Sequence, residues 1–440
     1  MNQTNEIYDI AGIGIGPFNL GLAALCRPIV SLKTVFVDEK PEFNWHAGML
    51  LPGSTLQVSY LADLVTLADP CSPFSYLNFL RQQGRLLQFG IHENNVITRR
   101  EYNRYCRWVC SQLPNLRFNY QVTAIGYEKE RQCYVITGRH PVTGIVQKIR
   151  ARHVVIGIGA QPSVPAFAES LLGDHILHSS QYLKHRTAIM HSKQVAVIGS
   201  GQSAAEIFYD LLQSYTERET VLYWMTRSAR FYAMEHSKLS FEMATPAYID
   251  HFYNLPETRK PVTIRQQDAL FKGINYQLIN AIYDRLYERM TEGNAVPVTL
   301  MTNVALQEIR PAERHGWILS FYHKEQGTVF EQEAGHIILA TGYKTVPPSF
   351  LESLDARIRF DARGNFNVSR RYTIDEEDTF FVQNAEMHTH GFTAPELGLG
   401  PYRNAVIINT ILGKAYYPTD EQTVFQQFGV PVRSAINKKM

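Results

Sequence analysis

No apolar run in this chain is long enough to span a bilayer, so a helical membrane anchor is not expected. An excess of charge of either sign is missing too. Across 440 residues, 43 basic side chains face 41 acidic ones, and neither a nucleic-acid nor a membrane-surface partner is expected. Cysteine is scarce and scattered: Cys106 and Cys110 share a helix face, while Cys26, Cys71 and Cys133 stand alone. That pattern offers no disulfide framework and no close redox pair, which argues against a disulfide reductase and for a reduced, cytoplasmic protein. Glu6 and Asp9 precede the first strand where a signal peptide would need a basic region and an apolar core. No low-complexity segment interrupts the chain, and no metal is expected.

What is there is one strand–turn–helix unit used twice. The first is Ile7–Leu25, IYDIAGIGIGPFNLGLAAL. Gly12, Gly14 and Gly16 let the backbone turn tightly and approach a pyrophosphate at the positive end of the helix that follows. Pro17 stands where the GxGxxG pattern has its third glycine. The next strand, Val35–Val37, runs into Asp38 and Glu39, and an acid there is the usual partner of a dinucleotide ribose.

The second copy is KQVAVIGSGQSAAEIF, Lys193–Phe208, with Gly199, Gly201 and Ala204 in a GxGxxA turn and Gln202 and Ser203 opening the helix. Beyond its next strand, Val221–Met225, come Thr226, Arg227, Ser228 and Arg230. Cations and hydroxyls at that point suit the 2′-phosphate of NADP; an ordinary solvated loop is the alternative. Two nucleotide folds, the second bearing positive charge, describe a flavoprotein reduced by NADPH.

The expected architecture is α/β, with two Rossmann-like dinucleotide-binding domains and a small, mostly helical substrate-binding insertion. Residues 1–165 and 331–440 are assigned to the FAD-binding domain, 166–232 and 293–330 to the NADPH-binding domain, and 233–292 to the insertion.

GIGIGPFNL, FNWHAGML, LQVSYLADL, GSGQSAAEIF, ATGY and a late HTHG, in that order, resemble the flavin-dependent N-hydroxylating monooxygenases of siderophore biosynthesis. Members of that family act on lysine, ornithine or small diamines. The resemblance implies bound FAD, NADPH as hydride donor and O2, which adds at flavin C4a as a hydroperoxide that must be kept from water. It also implies a homo-oligomer, dimer or tetramer. Leu56 and Gln57 would then lie against the flavin ring and near the substrate. Trp45 and His46 belong to the matching WHxGM stretch, with a satisfied loop histidine as the other reading of His46. Asn275, in GINY, resembles a contact to the nicotinamide ribose. Thr341 and Gly342 of ATGY, and His390 with Leu399, match flavin contacts. The catalytic set so implied is Gln57, Asn275 and His46.

Two departures bear on the substrate. Amino-acid-specific members carry a lysine for the α-carboxylate where this chain has Ala62, and Phe241 replaces an asparagine that holds the head group. A buried carboxylate without its partner costs several kcal/mol, so a diamine, putrescine or cadaverine, fits better. Glu235, Glu242 and Asp63 are candidate acceptors for its far ammonium. The alternatives are L-lysine or L-ornithine, with Lys238 or Arg81 taking over the carboxylate, and, more distantly, a non-catalytic flavin or NADP sensor.

Overall fold

Alternating apolar strands and helices build two sheets of the nucleotide-binding kind. The computed structural model describes residues 6–215, 220–235, 237–291, 297–354, 357–419 and 424–430; Glu292, the expected end of the insertion, lies outside them.

The first sheet runs in space Leu116–Arg117, Thr34–Val37, Ile7–Ile13, Val146–Ile156, Cys133–Arg139, Gln121–Glu128. Ile7–Ile13 is parallel to both neighbours and buried at its second half, which explains its unbroken apolar reading. Val146–Ile156 changes partner along its far edge: its first part pairs antiparallel with Cys133–Arg139, its last part parallel with Phe380–Val382. The late strand thus brings the chain back beneath the first glycine turn.

Pro17 occupies the first position of helix Pro17–Cys26, where a missing N–H is harmless and the fixed φ suits a helix. The departure from GxGxxG is therefore a helix start. This helix is buried all round, caught between the sheet and the final helix Gly400–Leu412.

The second sheet is wholly parallel, in the order Ile176–His178, His336–Leu339, Gln194–Ile198, Val221–Met225, Val298–Met301. Two expected boundaries change. His336–Leu339, assigned with residues 331–440 to the FAD side, lies inside the second sheet, so the chain crosses back only after Ala340. Periodicity identifies a buried strand but not the sheet that buries it. The long helix Tyr276–Thr291, placed in the insertion, is the crossover joining Val221–Met225 to Val298–Met301, with Ile282 in one core with Phe208 and Leu211.

What remains of the insertion is a set of short helices, among them Pro246–Tyr253 and Lys260–Gln266. Its Tyr248 and Phe252 pack with Phe392, so it leans on the first domain. A three-stranded antiparallel unit, Val304–Pro311, Trp317–His323 and Thr328–Ala334, closes one face of the second sheet. The two passages between domains zip together as Gln161–Pro162 with Tyr343–Lys344, and Thr341 Oγ1 donates to the Ser163 carbonyl at 2.5 Å. No helix among the described residues is long and apolar enough to cross a membrane.

Candidate active site

Both glycine turns fit a nucleotide pyrophosphate. Gly16 and Gly201 stand at the N-caps of helices Pro17–Cys26 and Gln202–Ser214, and neither helix has a side chain capping its first amides. Those N–H groups are left for an anion. Gly14 sits at φ +86°, and a Cβ there would come within 2.6 Å of the Gly157 carbonyl, so the turn admits only glycine. Beneath it, buried Asn19 donates to the Gly14 carbonyl at 2.9 Å and accepts from Gln383 at 2.8 Å. Nothing in the sequence singled out this clamp.

The two acids after the second strand separate. Asp38 is buried, accepting from the Ile15 amide at 2.7 Å and the Lys40 amide at 2.9 Å. It braces the glycine turn, and Glu39 is the exposed acid at the strand end. On the second domain Arg227 and Arg230 are both exposed at the end of Val221–Met225, and Ser228 Oγ lies 2.9 Å from Ser200 Oγ of the glycine turn. The guanidinium of Arg230 sits over the Tyr232 ring. Hydroxyls and cations thus converge at the carboxyl ends of the strands, where such sheets bind ligands.

Between the domains lies a cavity of about 220 Å³ walled by Trp45, His46 and Gln57 from the first domain, Ser203 from the second glycine-turn helix, Tyr343 from the return passage and Glu396 near the last helix. Leu56 and Arg99 also line it. The WHAGM segment reaches it through a close approach: a Cβ at Gly48 would stand 1.8 Å from the Ser180 carbonyl of the second domain.

Gln202 is the hub of the wall. Its Oε1 accepts from Gln57 Nε2 at 3.2 Å and from the Asn275 backbone amide at 2.9 Å, while its Nε2 donates to Glu206 at 2.9 Å. Three residues singled out from separate motifs therefore share one network. The Asn275 side chain is engaged in capping the crossover helix, accepting from the Leu278 amide at 2.7 Å.

Glu206 receives Arg99 Nη1 at 2.7 Å in a largely buried ion pair between the domains. Burial raises its carboxyl pKa, with Arg99 opposing the rise. Neither member of that pair was legible as special in the sequence. His46 is exposed where it opens onto the cavity, and desolvation by the protein packed around it, then the Arg99 and Lys40 charges, push its pKa down to about 4. It is a neutral imidazole at pH 7, edge-on to Trp45 at 4.5 Å and to Tyr343 at 6.2 Å.

Other residues singled out from the sequence lie outside this cavity wall. His390 is buried, stacked on Tyr372 at 4.6 Å, and Leu399 is buried at the start of the last helix. The wall at this end is made by Pro395, Glu396 and Leu397, the last of them the start of the Leu397–Leu399 segment singled out from the sequence. Thr341 and Gly342 serve the passage between domains. Glu235 is exposed and accepts from Ser240, and Phe241 is 45% exposed on helix Lys238–Phe241; neither is in the cavity wall. Asp63 accepts from the amides of Val65, Thr66 and Tyr76 and from the Thr66 hydroxyl, which makes it a turn brace. Glu242 accepts from the amides of Phe425 and Gln426. Ala62 is buried behind the wall, 3.6 Å from where a Gly398 Cβ would stand.

Residues 6–345 match the model of the L-lysine 6-monooxygenase/L-ornithine 5-monooxygenase family. The chain belongs to this family. It is an FAD- and NADPH-dependent monooxygenase. A putrescine N-hydroxylase of Shewanella oneidensis is 44% identical over 422 residues, 96% of this chain and 84% of that protein. The crystal structure of DfoA bound to FAD, a cadaverine monooxygenase of desferrioxamine biosynthesis from Erwinia amylovora, matches with a TM-score of 0.94 at 42% identity, over 97% of this chain and 99% of that one. The ornithine N-hydroxylase KtzI of Kutzneria sp. 744, solved with reduced FAD, NADP+ and L-ornithine, matches with a TM-score of 0.86 at 26% identity, over 93% and 99%.

Proposed function

We propose that this monooxygenase hydroxylates one terminal amine of an aliphatic diamine, putrescine or cadaverine, for hydroxamate siderophore biosynthesis. One observation carries the choice of substrate: among the described residues, the cavity wall offers no unengaged cation to an α-carboxylate. His46 is neutral and Arg99 is bound to Glu206. Ala62 stands where amino-acid-specific members of the family place a lysine. Lys238 is exposed on the insertion, and Arg81 walls a separate surface hollow beside Leu87 and Ile91. The putrescine and cadaverine enzymes among the relatives support the same reading.

When bound, FAD supplies the two-electron chemistry that activates O2, with NADPH as its reductant. The chain's own residues have three tasks. The glycine turns, with Glu39 on one domain and Arg227 and Arg230 on the other, hold the two nucleotides. The cavity walls exclude water and favour the neutral amine, because an alkylamine with a pKa of about 10.4 in water loses its proton more readily where charge is desolvated. Gln57, held by Gln202, presents an amide to the reacting region, while Asn275 is fixed to the same hub and His46 adds no positive charge. The enzyme is proposed to work in the cytoplasm as a homo-oligomer, dimer or tetramer. Leu87 and Ile91, 75% and 73% exposed on helix Leu86–His92, are an apolar ridge of the kind that subunit contacts cover.

Purified enzyme supplied with FAD and NADPH is to be assayed for hydroxylamine formed from putrescine, cadaverine, L-lysine and L-ornithine side by side. Turnover of a diamine well above either amino acid is expected. Oxidation of lysine or ornithine with the diamines ignored would overturn the reading.

A further inference from the structure

We propose that Glu396 holds the substrate's far ammonium and thereby selects diamines over both monoamines and amino acids. This rests on the diamine reading and adds to it the residue that measures the distal end of the substrate.

Among the described residues Glu396 is the one acid in the cavity wall, which it shares with Gln57 and His46. The other charged or titratable groups facing that space are His46, Arg99 and the Tyr343 phenol. His46 is neutral and Arg99 is paired with Glu206, so the wall holds a carboxylate with no cation set against it. Its carboxylate accepts from backbone amides, that of Gly398 to Oε1 at 3.3 Å, which caps the short turn Leu397–Leu399, and that of Leu397. The residue is partly buried, and desolvation raises its pKa against the lowering effect of the Gly398 and Leu397 amides. A cationic ligand relieves that penalty.

The turn that carries it packs against small residues. A Cβ at Gly398 would stand 3.6 Å from Ala62 Cβ and 3.8 Å from Glu396 Oε1. Both distances are ordinary van der Waals contacts, so a longer side chain at either position would press on the turn that carries the carboxylate. The lysine that amino-acid-specific members place at the Ala62 position would bring positive charge to this same turn. Cation there with an acidic substrate group, and anion here with a basic one, are the two ways of reading the far end of a terminal amine. The other acids weighed for this task, Asp63, Glu235 and Glu242, are engaged elsewhere or lie outside the wall.

A cap needs only an acceptor oxygen, which glutamine also has; an ammonium partner needs the charge. Glu396→Gln therefore separates the two roles. Holoenzymes of the wild type, Glu396→Gln and Glu396→Asp are compared for kcat/KM with putrescine, cadaverine and butylamine, which keeps one amine and lacks the other. FAD content and far-UV circular dichroism serve as controls of folding, and putrescine binding to the oxidised holoenzyme is followed by calorimetry. In Glu396→Gln, diamine kcat/KM should fall about 100-fold or more, the scale of losing one partner of a desolvated charge pair. Butylamine should change little, putrescine binding should be lost, and Glu396→Asp should recover part of the diamine activity. An unchanged preference for diamines over butylamine in Glu396→Gln overturns the proposal, as does an equal fall for both substrates. Failure of the diamine reading itself is distinguishable, because it is seen in the wild type before any substitution.

Discussion

Ala62 is a residue whose size decides its surroundings. It is 5% exposed behind the turn that carries Glu396, so any larger side chain there must displace that turn or extend past it. Ala62→Lys would set an ammonium beside the Glu396 carboxylate and in the path of the substrate's own charge. Diamine kcat/KM should fall at least tenfold, about 1.4 kcal/mol in the transition state. KM should rise more than kcat falls, since the repulsion acts on binding. Steady-state kinetics with putrescine check this, and unaltered constants would remove Ala62 from any influence on the site. Residues of this kind were legible as departures from a motif, because a missing lysine is conspicuous at a fixed position. Glu396 was not: an acid between Pro395 and Leu397 looks like any capping residue until the fold turns it into a cavity.

Helices and strands carry the site through the contacts they make across the domain boundary. Helix Arg99–Cys110 starts at Thr98, whose hydroxyl accepts from the Glu101 amide at 3.2 Å, and its first residue reaches the second domain. Arg99 and Glu206, with side chains 13% and 5% exposed, join this helix to Gln202–Ser214, the helix that carries the hub glutamine. Arg99→Met would leave the Glu206 carboxylate buried without its cation, a change that costs about 3–5 kcal/mol in comparable pairs. Thermal denaturation of the holoenzyme should show a fall of several degrees, largely reversed in the double variant Arg99→Met/Glu206→Leu. A single variant melting with the wild type would show that the pair is dispensable to the join. The elements themselves were readable because each glycine turn carries its own strand and helix, and apolar runs such as Val195–Ile198 announce burial. Allocation among sheets was not. His336–Leu339 and Tyr276–Thr291 have the same local pattern whichever domain receives them, and only long-range pairing decides.

For the molecule as a whole, histidines whose protonation the fold disfavours set how it responds to acid. His46 and His336 are pushed down to about 4, the first by desolvation and then the Arg99 and Lys40 charges, the second by desolvation and then His175 and His185. His390 lies well below its ordinary value, chiefly through burial. In the unfolded chain each would take up a proton near pH 6.5. Below that value the unfolded state binds more protons than the folded one, so these groups contribute full stability above about pH 6.5 and lose it as pH falls towards 4. Glu206, Glu386 and Glu396, whose pKa values are raised by burial, act in the opposite sense. Their contribution is complete below about pH 4.5 and declines as pH rises through their folded values, which partly offsets the histidines between the two limits. A difference between variants isolates one group. His336 is 7% exposed and lies outside the cavity, so His336→Gln removes a single buried titration without touching the site. The stability of wild type minus that of His336→Gln should be constant above pH 7. It should shrink between pH 6.5 and 4 by up to about 1.4 kcal/mol per pH unit, the value for one proton. Urea denaturation of both proteins at a series of pH values measures it, and parallel curves across that window would mean that His336 is protonated in the fold as readily as out of it.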